Sequence, residues 1–132
     1  MINVVWFKRD LRWSDHEPLA EAVRSGLPTA CLFIIEPSLI KSVHYSNRHW
    51  KFMSECIQEI KRKFQQYDLK FFVLEGEAMT IFDEIHKVHE SFQLLSHLET
   101  GIDLTYQRDK AVKKWCKKNS INWKEYNQHA IQ

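Results

Sequence analysis

The run Thr29-Ala30-Cys31-Leu32-Phe33-Ile34-Ile35 is apolar at almost every position. A strand with one wet face alternates polar and apolar residues, so a strand apolar on both sides must be covered on both sides. It is reached from an earlier β-rich run, Ile2 to Phe7, through a stretch with helical character. Two such strands joined by a helix run parallel, because the crossover returns the chain to the same end of the sheet. A parallel sheet sandwiched between helices is therefore the expected frame.

The remaining segments extend that frame. Between the first two strands, Leu19, Ala20, Ala22 and Val23 mark a helix that Gly26 ends. Ser14 and Glu17 spell a capping box, but Ser14 as cap would put Pro18 where the first intrahelical N–H is needed. Asp15 is therefore the predicted N-cap. Glu36-Pro37-Ser38 ends the second strand, and the chain reads as irregular up to Ser46, a cap for a long helix. Trp50, Met53, Ile57, Ile60 and Phe64 form one face of that helix. Leu69–Leu74 is a third strand, followed by a helix with Ala78, Ile81, Phe82, Ile85 and Val88 on its inner side. Phe92–His97 is a fourth strand. A helix from about Leu104 to Lys118 follows, with Leu104, Ala111, Val112, Trp115 and Cys116 inward, and Asn122–Tyr126 is a fifth strand.

This alternation predicts an α/β fold: a Rossmann-like open parallel five-stranded sheet, order 3-2-1-4-5, with helices on both faces. At 132 residues a single domain is expected. The order makes strands one and four neighbours, so the loops after them, Lys8–Asp15 and His97–Asp103, meet at the topological switch point. Sheets of this kind bind ligands there.

Both loops carry unusual chemistry. Arg9, Asp10 and Arg12 can anchor an anionic or hydrogen-bonding ligand; equally, Asp10 can pair with Arg9, Arg12 or Arg108 and only stiffen the loop. His97 and Glu99 can bind a ligand or close their loop by a structural hydrogen bond, and no nucleophile accompanies them for catalysis. The chain has three glycines, Gly26, Gly76 and Gly101, none clustered, which excludes a dinucleotide fingerprint or a P-loop. His86 and His89 stand three apart with Glu90 adjacent, but a metal needs a further ligand and an oriented surround, so solvent exposure is the simpler reading. The lysine run 110–118 reads as a solvated helix face. Of the five tryptophans, Trp50 and Trp115 read as core, and Trp13 is the one open to a ligand.

A net charge of +2 requires neither nucleic acid nor a membrane surface as partner. Cys31, Cys56 and Cys116 match no disulfide or metal spacing and read as reduced thiols in core positions. No apolar run is long enough to span a membrane and none reads as a signal peptide, so a cytoplasmic protein is expected.

The opening Val5-Trp6-Phe7-Lys8-Arg9-Asp10-Leu11-Arg12, followed by Asp15 and Leu19, resembles the start of the photolyase/cryptochrome family. Ser46-Asn47-Arg48 before Trp50-Lys51-Phe52 and Glu55 resembles a later helix start of that family. Glu99-Thr100-Gly101, Leu104 to Val112 and Trp115-Cys116 are similar to a bacterial branch. The resemblance covers essentially the whole chain. It implies an N-terminal α/β domain that binds a light-harvesting antenna chromophore, a flavin, a deazaflavin or a folate. It further implies that FAD, the DNA-binding surface and the electron-relay tryptophans belong to a helical C-terminal domain, the expected partner, with DNA reached only through it. The chain stops just after its fifth strand, where a family member runs on, which reads as an excised domain or a truncated product. Leu104 and Thr105 stand where the folate-binding branch has Asn-Glu.

On this reading Arg9, Asp10, Glu36, His97 and Glu99 form the rim of the antenna pocket, with Arg48 as an outer member, and the domain performs no bond chemistry. DNA repair and blue-light sensing are decided by residues outside it. Two other readings stand beside it: a stand-alone nucleotide- or flavin-binding module, and a docking domain with an empty antenna pocket.

Overall fold

The computed structural model describes residues 1–8, 10–42, 47–67, 69–99 and 103–127. Ten elements follow one another: β1 (Ile2–Phe7), α1 (Glu17–Arg24), β2 (Thr29–Ile35), α2 (Pro37–Ser42), α3 (Asn47–Gln66), β3 (Lys70–Glu75), α4 (Ala78–Val88), β4 (Phe92–His97), α5 (Asp103–Lys118) and β5 (Asn122–Tyr126). The strands form one sheet in the order β3-β2-β1-β4-β5, with every neighbouring pair parallel. Both the strand order and the covering of both faces are as the apolar runs imply.

Side chains alternate across β1, and each set finds its own core. Val5 and Phe7 join Leu19 and Ala22 of α1, Ile60 and Phe64 of α3, and Phe71. Val4 and Trp6 face the other way, toward Ala78 and Phe82 of α4 and Val112, Trp115 and Cys116 of α5. Rings lock this second core: Trp6 meets Phe82 edge-on at 5.1 Å, and Trp115 Nε1 donates to Asp83 Oδ1 at 2.7 Å. Cys31 and Cys116 are buried free thiols, the first pushed up to about 12 and the second to about 11 by burial, and Cys56 is half-buried. Among the described residues no helix is long and apolar enough to cross a membrane.

Four local expectations are corrected. Asp15 is not the cap of α1; it takes a left-handed conformation (φ 53) one residue earlier, and His16 caps the helix by accepting the Leu19 N–H at Nδ1, 3.2 Å away. The segment after β2 is not wholly irregular. Pro37 opens the short helix α2, as its fixed φ and missing N–H allow, and the Glu77 carboxylate takes up the Ser38 N–H (3.0 Å) and hydroxyl (2.8 Å). Val88, at the last turn of α4, is 76% exposed rather than inward, and Leu104 at the start of α5 is exposed as well. Gly26 does follow the C-cap of α1 with φ 77, the left-handed conformation that glycine adopts without strain. The Ser46 cap and the Thr100-Gly101 loop lie outside the described residues.

Candidate functional site at the carboxyl edge of the sheet

The register sets Trp6 of β1 beside Ser96 of β4. The residues that follow both strands therefore converge, and β2 delivers Glu36 to the same edge. Two ionic networks form there, centred on Asp10 and Arg108.

Asp10 is fully buried at its side chain and gathers donors from three directions. Its Oδ1 accepts the Lys8 N–H at 2.7 Å, which folds the strand exit back on itself. Its Oδ2 lies 2.6 Å from His97 Nδ1. His16 Nε2 approaches the same oxygen to 2.7 Å, off the in-line direction of a regular hydrogen bond. Burial alone would raise the Asp10 carboxyl, but the contacts to His16 and His97 and the Lys8 N–H outweigh it and hold the group well below the usual carboxylate range. His16 is shifted down by burial, with Asp10 opposing. Its ring is stacked on Phe7, centroids 4.3 Å apart.

The ligating atoms of Asp10, His16 and His97 lie within 4.8 Å of one another, a spacing that a divalent cation could bridge. The tautomers favour protons instead. His16 Nδ1 accepts the cap bond of α1, so the neutral ring carries its hydrogen on Nε2, where a metal would need a lone pair. Metal binding at that atom would break the helix cap.

Arg108, from the second turn of α5, spreads its guanidinium over three carboxylates. Nη1 bonds Glu36 Oε1, Nη2 bonds Glu99 Oε1, and Nε donates to Asp109 Oδ1 at 2.9 Å. Lys8 Nζ reaches Asp109 Oδ2 at 2.9 Å. Both cations rest on the Trp6 ring, Lys8 at 4.5 Å and Arg108 at 4.8 Å from its centroid. Burial lowers the Lys8 ammonium, with Asp109 opposing. For Arg108 burial also disfavours charge, but Glu36, Asp109 and Glu99 reverse the balance and raise it. Three carboxylates thus face two cations in a largely dehydrated setting. Glu36 absorbs the excess: burial pushes its carboxyl up to about 7, because Arg108 is shared and Glu77 and Glu99 add repulsion. Its Oε1 is held by Arg108, while Oε2 is buried and has no partner among the described residues.

The sequence-nominated residues fall into two groups. Asp10, Glu36, His97 and Glu99 are all brought to this edge. Arg9 lies outside the described residues, as does the side chain of Arg48, which belongs to α3. Of the pairings weighed for Asp10, none occurs among the described residues: Arg108 serves the glutamates, and Arg12 donates to the Asp15 carbonyl at 3.1 Å. His97 closes its loop structurally, onto Asp10. Lys8, His16 and Asp109 were not singled out. Asp109 follows Arg108 early in a helix that starts at the switch point, and that position is the signal available for it.

Comparison with known proteins supplies the family. The DNA photolyase family description matches residues 3–132. Cryptochrome-1 of Gallus gallus is 26% identical over 114 residues, covering 86% of this chain and 18% of its own length. Cryptochrome-2 of the same species is 22% identical, covering 98% and 22%. The chain therefore spans about a fifth of the length of these curated relatives. Among solved structures, a class III photolyase from Agrobacterium tumefaciens superposes with a TM-score of 0.84 at 18% identity, covering 96% of this chain and 25% of that one. An archaeal photolyase from Sulfolobus tokodaii, solved with two FAD molecules, gives 0.81 at 24% identity, covering 96% and 29%. With the strand order, the loop motif and a match over nearly every residue in agreement, this chain belongs to the DNA photolyase family.

Proposed function

We propose that this domain holds a light-harvesting antenna chromophore at the carboxyl edge of its sheet, within a photolyase- or cryptochrome-type flavoprotein. The observation that carries the reading is the Glu36 carboxyl: buried, clamped on one oxygen by Arg108, and unpartnered on the other among the described residues. A buried polar atom without a partner costs on the order of 1–3 kcal/mol, which a ligand donor or acceptor at that point recovers. Near neutral pH a carboxyl shifted to about 7 exists in both forms, so it can donate to a ring oxygen or accept from a ring N–H.

Family membership supports the role, as does the Sulfolobus tokodaii photolyase, for which a novel light-harvesting cofactor is implicated. A flavin, a deazaflavin and a folate all present ring nitrogens and oxygens of the required kind. The carboxylate excess disfavours a site built around phosphate, in keeping with the missing glycine cradle. The bound dye would absorb light and pass the excitation to FAD held by the rest of the parent protein; Glu36 and the Arg108 cluster would fix its ring. The same parent would supply the contact to DNA.

Substituting Glu36→Ala tests this without unfolding the domain, since two cations then face two carboxylates. In protein expressed from its complete reading frame, the variant is expected to lose at least tenfold in antenna occupancy, read from the absorption spectrum, while its FAD content is unchanged. Full antenna occupancy in the variant would rule Glu36 out as the anchor.

A further inference from the structure

A second site lies on the α1/α3 face. A groove of about 670 Å³ runs between these helices and shares only His16 with the carboxyl-edge networks. That volume is within the usual range for small-molecule sites. Leu19 and Phe64 form its floor, and its rim sets Trp13 (38% exposed), Tyr67 (64%) and Val23 (53%) around one opening. Large apolar side chains exposed together around a concavity are unusual on a soluble surface.

The charges indicate what fits. Lys63 Nζ lies 4.9 Å from the Trp13 ring centroid and has no carboxylate partner among the described residues; Arg24 is committed to Glu21. The groove thus offers aromatic walls and, at its rim, a lysine that no carboxylate pairs with among the described residues, Asp15 being the acidic group of the lining. Its two helices bond their own backbones, so no sheet edge is offered to an extended peptide.

We infer that this groove binds a small planar aromatic anion, the ring between Trp13 and Tyr67 and the anionic group at Lys63. The inference does not rest on the antenna reading, because the two sites use different walls.

The test uses a matched pair of dyes, 1-anilinonaphthalene-8-sulfonate and its uncharged parent N-phenyl-1-naphthylamine, titrated into this chain with fluorescence readout. The sulfonate is expected to bind at one saturable site and more tightly than the neutral amine. Lys63→Met keeps the apolar stem and removes the charge, and should weaken the sulfonate about fivefold, as a rim ion pair of roughly 1 kcal/mol would. Binding of the neutral amine should not change. Trp13→Ala should weaken both dyes, and Lys113→Met, on a remote exposed position, neither. Near-ultraviolet circular dichroism of each variant distinguishes loss of a contact from loss of the fold. Equal affinity for the two dyes, several unsaturable sites, or indifference to Lys63→Met in a folded variant would each overturn the inference.

Discussion

Arg108→Met is expected to cost about 3–5 kcal/mol of folding stability, the range for removing one partner from a buried ionic network. Methionine replaces the aliphatic volume but leaves Glu36, Glu99 and Asp109 facing Lys8 alone. Domains of this size have roughly 5–15 kcal/mol in total, so the urea midpoint should fall by more than about 1 M. Adding Glu36→Gln to the same chain should recover part of the loss, because it removes one uncompensated charge; coupled neighbours of this kind interact by about 0.5–3 kcal/mol. A loss below about 1 kcal/mol for the single variant would mean that water screens the cluster as it screens surface pairs.

The second large effect is at Asp10. An asparagine there keeps one acceptor oxygen for groups that now use two, so its NH₂ must face either the Lys8 N–H or the imidazole nitrogens. Two donors then meet in a buried site, at an expected cost of about 3 kcal/mol. The pH profile gives an independent signature. The folded-state pKa of Asp10 is depressed, so its contribution is present above its unfolded value near 3.8 and is lost as the pH falls through and below that value. Asp10→Asn should flatten the acid limb of the stability curve. Glu36 acts in the opposite sense. Its folded value, about 7, lies above the unfolded 4.5, so its contribution is complete below about 4.5 and is lost as the pH rises through 7. Thermal melts from pH 3 to 8 should show the native chain losing more stability than Glu36→Gln as the pH rises through 7. His16, whose folded value is lowered, adds stability in both chains as the pH rises toward its unfolded 6.5.

The fold was legible because its signals are local. β2, β4 and β5 span the residues the sequence assigns to them, and parallel pairing follows from a strand apolar on both faces, as β2 is. The misreadings have tertiary causes. The first turn of α2 is closed by Glu77, 39 residues away, a partner no local pattern reveals. His16 became the helix cap because an imidazole held by Asp10 presents a ring nitrogen to the Leu19 N–H, a geometry outside the usual Ser, Thr, Asp and Asn preference. Val88 has the right spacing but sits at the end of α4, past the ground that its neighbours cover.

The candidate site was legible in membership and not in wiring. Strand order alone sends Asp10, Glu36, His97 and Glu99 to one edge. Which base serves which acid depends on register: His97 reaches Asp10 across 87 residues and Arg108 reaches Glu36 across 72. The shift of Glu36 follows from that wiring and from burial, neither of which a one-dimensional pattern contains.

Energy transfer is the most direct test of the antenna role. The protein, expressed from its complete reading frame and purified in the dark, should carry more than one dye per chain, with an absorption band in addition to those of FAD where the second dye is a deazaflavin or a folate. Its fluorescence excitation spectrum, monitored at flavin emission, should reproduce that band, because the light it absorbs is delivered to the flavin. A content of one FAD per chain with no second dye released on denaturation, or a second dye that contributes nothing to flavin emission, would contradict the proposal that this domain is a light-harvesting one.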